Sequence, residues 1–327
     1  DGVTPNPNTH QVNAAAKQAQ EFGAQAVIAI GGGSAIDAGK STAILMKNPG
    51  KTAEELYEFK FTPTQAAPMV AINLTHGTGS EANRFAVVTI EEKNFKPAIA
   101  YDCIYPLYSI DDPQLMTGLS EKQTRYVSID AVNHVVEAST TLVTSPYAVD
   151  LAISTVELVA EYLPKALKDL TDVEARYFLA YAALIAGISF DNGLLHYTHA
   201  LEHPLSGVNP NLTHGLGLAM LLPAVIKNIY TAKGQTLAAV LKPIVPGLTG
   251  NPAEADQAAQ GVEKWLFSVG ADHKLADEGF HAEDVDKMVE LCFNTPSLDG
   301  LLAIAPTKAT KEAVREIYAS SLKPCHK

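Results

Sequence analysis

Short apolar runs alternate with helical periodicity over the first third of the chain. From about Leu119 onward the helical period takes over alone. Ala26–Ile30, Pro68–Asn73 and Leu107–Ile110 are brief runs rich in branched residues, the pattern of strands in a buried parallel sheet. Between them, Ala14–Phe22 predicts a helix closed by Gly23, and Ser34–Met46 predicts another. Phe85–Ile90 and Pro97–Tyr101 predict a hairpin about the polar turn "EEKN". The later segments open on helix caps: Ser120 before "EKQTRYVSIDAVNHVVEA", and Ser145 with Pro146 at the first helical position. "DVEARYFLAYAALIAGISF" is apolar enough for a buried core helix. The fold class expected is an α/β domain over residues 1–115 and an all-α domain over 116–327, joined near 112–119.

Composition narrows the partners. The 327 residues are 47% hydrophobic and 18% charged, with a formal charge of −12. A chain so acidic lacks the clustered cations that nucleic-acid phosphates require. Cys103, Cys292 and Cys325 show no paired spacing, as expected of a reducing, cytoplasmic setting. Residues 1–10 are polar, and the apolar stretches Tyr177–Phe190 and Gly215–Ile226 fall short of a bilayer span, so no membrane partner is expected. The chain opens with Asp1, and its first strand already leads into glycines. A preceding βα layer is therefore expected, with Ala26–Ile30 left at an unpaired edge of the sheet.

That first strand runs into "GGGSAIDAGKS". A P-loop would need Gly where Ser34 stands, five residues before Gly39. A Rossmann turn would need a third Gly where Ile36 stands. What remains is the physics of an anion cradle. Gly31, Gly32 and Gly33 let backbone N–H groups approach closely, and a helix N-terminus follows. Ser34 as N-cap with Asp37 three residues later reads as a capping box. A plain strand-to-helix turn is the competing reading. The loop "LTHGTGSE" after the second strand repeats the logic with Thr75, Thr78 and Ser80 around Gly77 and Gly79. Two such loops suit a pyrophosphate beyond the strand ends.

Of the ten histidines, five fall between His134 and His214 inclusive. Asp130 and His134 share a helix face, as do His199 and His203, with Pro204 expected to end that helix. His196 lies three residues before His199, and His214 opens a further helix. A carboxylate with several imidazoles fits Zn²⁺ or Fe²⁺. Buried, hydrogen-bonded core histidines are the alternative, and spacing leaves His196, His199 and His203 open as ligands.

"GGGSAIDAGK", "THGTGSEANRFAVVT", "DAVNHVVEA" and "HALEHPLSGVNPNLTHGLGLAMLLP" together resemble the iron-containing, or group III, alcohol dehydrogenases. "INLTHGTGSE" and "AYDCIYPLYSIDDP" are similar to a butanol-type, broad-range bacterial branch. The resemblance implies metal ligands Asp130, His134, His199 and His214, with Fe²⁺ expected and Zn²⁺ possible. It implies that His203 stands beside nicotinamide and substrate as a proton-relay group, and that His196 is no ligand. Gly31, Gly32, Gly33 and Ser34, with Asp37 in the same turn, correspond to the pyrophosphate loop, while Thr75, Thr78 and Lys96 line the cofactor, NAD or NADP. The implied reaction is reversible oxidation of small primary alcohols to aldehydes by a homodimer or higher homo-oligomer. Glycerol dehydrogenase-like polyol oxidation and an inactive structural homologue are the rival readings. A dehydroquinate synthase-like site would need basic residues that are scarce near the histidines. Three departures stand out: several dozen N-terminal residues of the family pattern have no counterpart, His76 replaces a small residue, and the spacing from His203 to His214 is one residue longer than in several members.

Overall fold

The computed structural model describes residues 2–325. Helix α1 (Thr9–Phe22) starts earlier than its apolar period, because Asn8 caps it. The Asn8 side chain accepts from Gln11 N, and the Gln11 side chain accepts from Asn8 N in return. Gly23, at φ +72°, ends the helix in the left-handed conformation that a residue without Cβ adopts freely. Strand β1 (Val27–Gly31) then enters helix α2 (Gly33–Lys47), and the short α3 (Ala53–Tyr57) leads to β2 (Met69–Asn73). The expected hairpin forms as β3 (Phe85–Val87) and β4 (Ala98–Ala100), antiparallel, with a bridge between Ile90 and Phe95 drawing the turn together. Strand β5 (Tyr108–Ile110) completes a parallel sheet of order β1-β2-β5.

β1 lies at the edge of this sheet, as its sequence context predicts. Its apolar run predicts burial on both faces, and here the structure differs. Ala29 packs with Ile36, Met69 and Ala71 beneath α2, whereas Ile28 and Ile30 are 64% and 61% exposed. Side chains alternate across a strand, so one face of the sheet is covered and the other is open among the described residues.

After β5, Asp112 caps a turn over Pro113–Met116, and Ser120 caps α4 (Glu121–Ala138) by accepting from Gln123 N. Then come α5 (Pro146–Lys168), α6 (Val173–Gly193), α7 (Tyr197–Val208), α8 (His214–Val240), α9 (Ala255–Ser268), α10 (Val285–Asn294), α11 (Leu298–Ala303) and α12 (Lys311–Ser320). The Ser145 cap forms as expected. At 21 and 27 residues, α6 and α8 are long and apolar enough to cross a bilayer by length and composition. This corrects the expectation drawn from their shorter apolar runs. Both are mostly buried, α6 against α4 and α5 and α8 against α4 and α9, which is the surrounding of core helices.

Pro204 does not end its helix: α7 continues to Val208. Proline removes a single rung, the bond to the carbonyl four residues back. That carbonyl, on Ala200, instead accepts from the Cys292 thiol of α10 at 3.2 Å. The three cysteines are unpaired, as their spacing predicts.

The two parts of the chain meet without side chains at one point. Gly79, at φ +59°, lies against Gly187 of α6, so that a Cβ added at Gly187 would sit 2.5 Å from the Gly79 carbonyl oxygen. Nearby, the buried His76 bridges the same seam. Its Nδ1 lies 3.1 Å from Ser128 Oγ, and Arg176 Nη1 donates to its Nε2 at 2.7 Å. Burial, with Arg176 beside it, lowers the His76 pKa to about 3, so the ring is neutral and can accept. The imidazole thus fills a slot that a small residue would leave empty. Gly187→Ala should force α6 away from the loop and cost about 1–3 kcal/mol in urea denaturation. Gly118→Ala, where a Cβ meets nothing within 4 Å, should be near neutral. Equal stability of the two variants would refute the close seam.

Candidate functional site

A cleft runs between the strand ends and the helical part, lined at one end by Gly33, Ser34 and Thr78 and at the other by Asp130, His134, His199, His203 and His214. At the loop end, Gly31 closes β1 with φ +151°, and Gly32 is the N-cap of α2 in extended conformation. No side chain caps this helix, so the expected Ser34–Asp37 box does not form. Ser34 lies within the first turn. The Asp37 carboxylate is taken by Ser80 Oγ at 2.5 Å and Val87 N at 2.9 Å. Ala35 N and Ile36 N donate to the Gly32 carbonyl, and Gly33 and Ser34 of the same turn line the cleft, at a helix end whose dipole favours an anion. The two sequence-predicted loops touch there. A Cβ on Gly32 would lie 2.6 Å from Thr75 Cγ2, and one on Gly33 would collide with the Thr78 side chain. The cradle thus needs both glycines.

Lys40, which carries the look of a P-loop lysine, does not face the cleft. It is buried and donates to Ser80 Oγ, the Asn83 carbonyl and the Phe85 carbonyl at 3.0, 2.9 and 2.7 Å. Burial lowers its pKa to about 8 against the pull of Asp37. It rivets the second loop to α2.

At the other end, Asp130 Oδ1 has the Nε2 atoms of His134, His199 and His214 at 3.4, 3.6 and 3.9 Å. Ligand atoms around a tetrahedral ion with bonds near 2.0–2.1 Å are roughly 3.3 Å apart, so the distances to Asp130 are slightly wider than a closed shell; Asp130, His199 and His214 each offer a ligand atom within 4.8 Å of the others, and His134 stands outside that group. Asp130 Oδ1 and His199 Nε2 are buried with no hydrogen-bond partner. Burial pushes the Asp130 carboxyl up, but His134, with His199 and His214, outweighs it and holds the group below the usual carboxylate range. Burial lowers His134 to about 4. At His199 burial is overcome by Glu137 and Asp130, and the pKa rises to about 9. A buried carboxylate oxygen and a buried imidazole nitrogen, both without a hydrogen-bond partner and with two further imidazole nitrogens beside them, are atoms that a bound cation would satisfy. The residues therefore fit a divalent metal.

Two further carboxylates were not singled out from the sequence. Glu137 of α4 accepts from the Nδ1 of His199 on α7, and Glu202 of α7 accepts from the Nδ1 of His214 on α8. Each fixes the tautomer that leaves Nε2 free for a metal. The signal was present in the spacing. Glu137 stands three residues after His134 and Glu202 three after His199, on the same helix faces as the ligands. Lys96 reaches the cleft, but its Nζ contacts Ser206 Oγ at 3.0 Å and Glu202 Oε2 at 3.4 Å.

His203 lines the cleft with its Nδ1 buried and unpartnered. Burial, with Lys96 nearby, holds its pKa well below the usual value, so it is neutral. His196 sits before α7 rather than on it, with Nε2 2.8 Å from Thr140 Oγ1, and stands outside the group around Asp130. Between loops and ligands the wall is apolar: Phe85, Val87, Phe190, Leu194, Leu195 and Leu301. Leu194 adopts φ +60° at the end of α6, a conformation that costs a branched residue about 1–3 kcal/mol.

Comparison with known proteins agrees with this geometry. Residues 1–113 match the family model for iron-containing alcohol dehydrogenase, and residues 124–322 match that for the C-terminal part of the Fe-containing alcohol dehydrogenase family. The chain is 59% identical over 321 residues to the long-chain primary alcohol dehydrogenase AdhA of Thermoanaerobacter ethanolicus, covering 98% of this chain and 80% of that protein. It is 29% identical to the NADPH-dependent butanol dehydrogenase of Clostridium saccharobutylicum, covering 97% and 82%. The solved NADH-dependent butanol dehydrogenase A of Thermotoga maritima superposes with a TM-score of 0.89 at 28% identity, covering 98% of this chain and 82% of that one. With family models over both parts of the chain and that 59% identity, the chain belongs to the iron-containing alcohol dehydrogenases and is an alcohol dehydrogenase.

Proposed function

We propose that the cleft oxidises primary alcohols carrying an apolar chain, reversibly, with a nicotinamide dinucleotide (NAD or NADP) and a divalent metal held by Asp130, His134, His199 and His214. Iron is the metal of the reading and zinc its competitor, since nitrogen and oxygen ligands suit both. The observation that carries it is the buried, unpartnered pair Asp130 Oδ1 and His199 Nε2 among the other imidazoles. The free thiols support a reducing, cytoplasmic setting.

When bound, the metal would supply Lewis acidity to an alcohol oxygen and the nicotinamide would accept hydride. The chain's own residues do the rest. Gly32 and Gly33 hold the pyrophosphate against the α2 amides, flanked by Thr75 and Thr78, and so fix the reach of the nicotinamide towards the histidines. Phe85, Phe190, Leu194 and Leu195 exclude water and contact an alkyl chain, which disfavours a polyol. His203, which lines the cleft with Nδ1 unpaired, takes up the proton that the alcohol gives up.

His134→Ala should lose both metal and activity in a metal analysis run beside an NAD(P)H-linked alcohol assay. Full occupancy in that variant would remove His134 from the ligand set. His203→Gln should lower turnover roughly 100-fold or more while metal content stays near native. Loss of metal instead would make His203 a ligand. Gly33→Val should weaken nucleotide binding by about 10–100-fold, from the overpacking cost, with metal retained. Unchanged nucleotide affinity by fluorescence titration would leave the glycines as a turn only.

A further inference from the structure

The second carboxylate, Glu202, sits in a prepared place. It is fully buried, with Oε1 accepting from Ser206 Oγ and Oε2 accepting from His214 Nδ1. The room for it comes from α8, where a Cβ on Gly217 would lie 2.7 Å from Glu202 Cγ. Lys96, itself 5% exposed, enters from the turn before β4 and places Nζ 3.4 Å from Glu202 Oε2, 3.0 Å from Ser206 Oγ and 3.4 Å from His214 Nδ1. A long flexible side chain is thus held inside the protein on a carboxylate that meets the proposed metal shell only through the His214 ring.

The charge balance gives the reason. Asp130, Glu137 and Glu202 bring three buried carboxylates to the neighbourhood of one divalent ion. The ion supplies two positive charges and Lys96 the third. Glu202, His203 and His214 also converge, each offering a ligand atom within 4.8 Å of the others. Such a nest would draw a second cation, and the ammonium of Lys96 already lies against two of its three members.

We propose that Glu202 is a positioning residue for His214, holding its Nε2 towards the metal, and that Lys96, with Ser206, clamps Glu202 in that role. This rests on the metal reading above. His214 is the more exposed of the imidazole ligands, with a side chain 26% accessible against 6% and 3% for His134 and His199. It is the ligand least held by packing and so the one that most needs a hydrogen-bonded partner. The acceptor alone orients the ring, and the cation keeps the acceptor from turning away.

Cobalt(II) replacing the native metal reads ligand geometry through its visible absorption, independently of turnover. The native chain should bind cobalt with an intense, four-coordinate spectrum. Glu202→Leu should shift and weaken that spectrum and lower cobalt affinity by roughly 10–100-fold. Glu202→Gln, whose amide oxygen still accepts from Nδ1, should restore most of both. Lys96→Met, which keeps volume and loses the cation, should show a smaller shift in the same direction, and it reports on the clamp should Glu202→Leu fail to fold. Native spectrum and affinity in Glu202→Leu would overturn the positioning role, and the same result in Lys96→Met would overturn the clamp, while leaving the metal site intact. A native chain that takes up no cobalt would overturn the metal reading and this inference with it.

Discussion

Asp130 is 3% exposed, and one of its oxygens meets no N–H or O–H donor among the described residues. A carboxylate in that position costs several kcal/mol unless a positive charge stands beside it. Three imidazole nitrogens supply the surroundings for that charge, each from a different turn of the helical part: His134 from α4, His199 from α7 and His214 from α8. The packing of these helices is therefore tied to a polar constraint at their common centre. The supporting carboxylates repeat the arrangement outward, since α4 orients a histidine of α7 and α7 orients one of α8. Helix order and site geometry are one structure rather than a scaffold with a site added.

The same dependence explains what could be read in advance. Asp130 with His134 and His199 with His203 were legible because helical period puts residues four apart on one face. The glycines were legible because their chemistry is local. The Ser34 cap was misread because a serine near a helix start is a good local cap, while its competitor was distant. Gly32 took the cap position, and Asp37 was drawn off by Ser80 and Val87. Pro204 was misread for a similar reason, since the donor that compensates it lies on α10, far along the chain. Glu137 and Glu202 had the right spacing, but a glutamate on a helix is ordinary until its partner is known. Long-range partners were the missing information in each case.

The seam between the two parts joins opposite solutions side by side. At Gly79 and Gly187 two backbones meet because neither residue carries a Cβ. Next to them, His76 and Arg176 fill the gap with large polar groups that satisfy each other and Ser128. The strand loops are thereby fixed against the ligand helices. The separation of the glycine turn from the histidines follows from that seam.

The missing rung in α7 has a consequence of its own. Ala200 lies between His199 and His203, and its carbonyl is answered by a thiol from α10 rather than by an amide of its own helix. One residue further, the Leu201 carbonyl accepts from the Tyr318 hydroxyl of α12 at 2.6 Å. The helix that carries two cleft histidines is thus moored sideways, through successive carbonyls, to helices that contribute nothing to the chemistry. The orientation of α7 is therefore tied to the packing of α10 and α12 as well as to its own ladder.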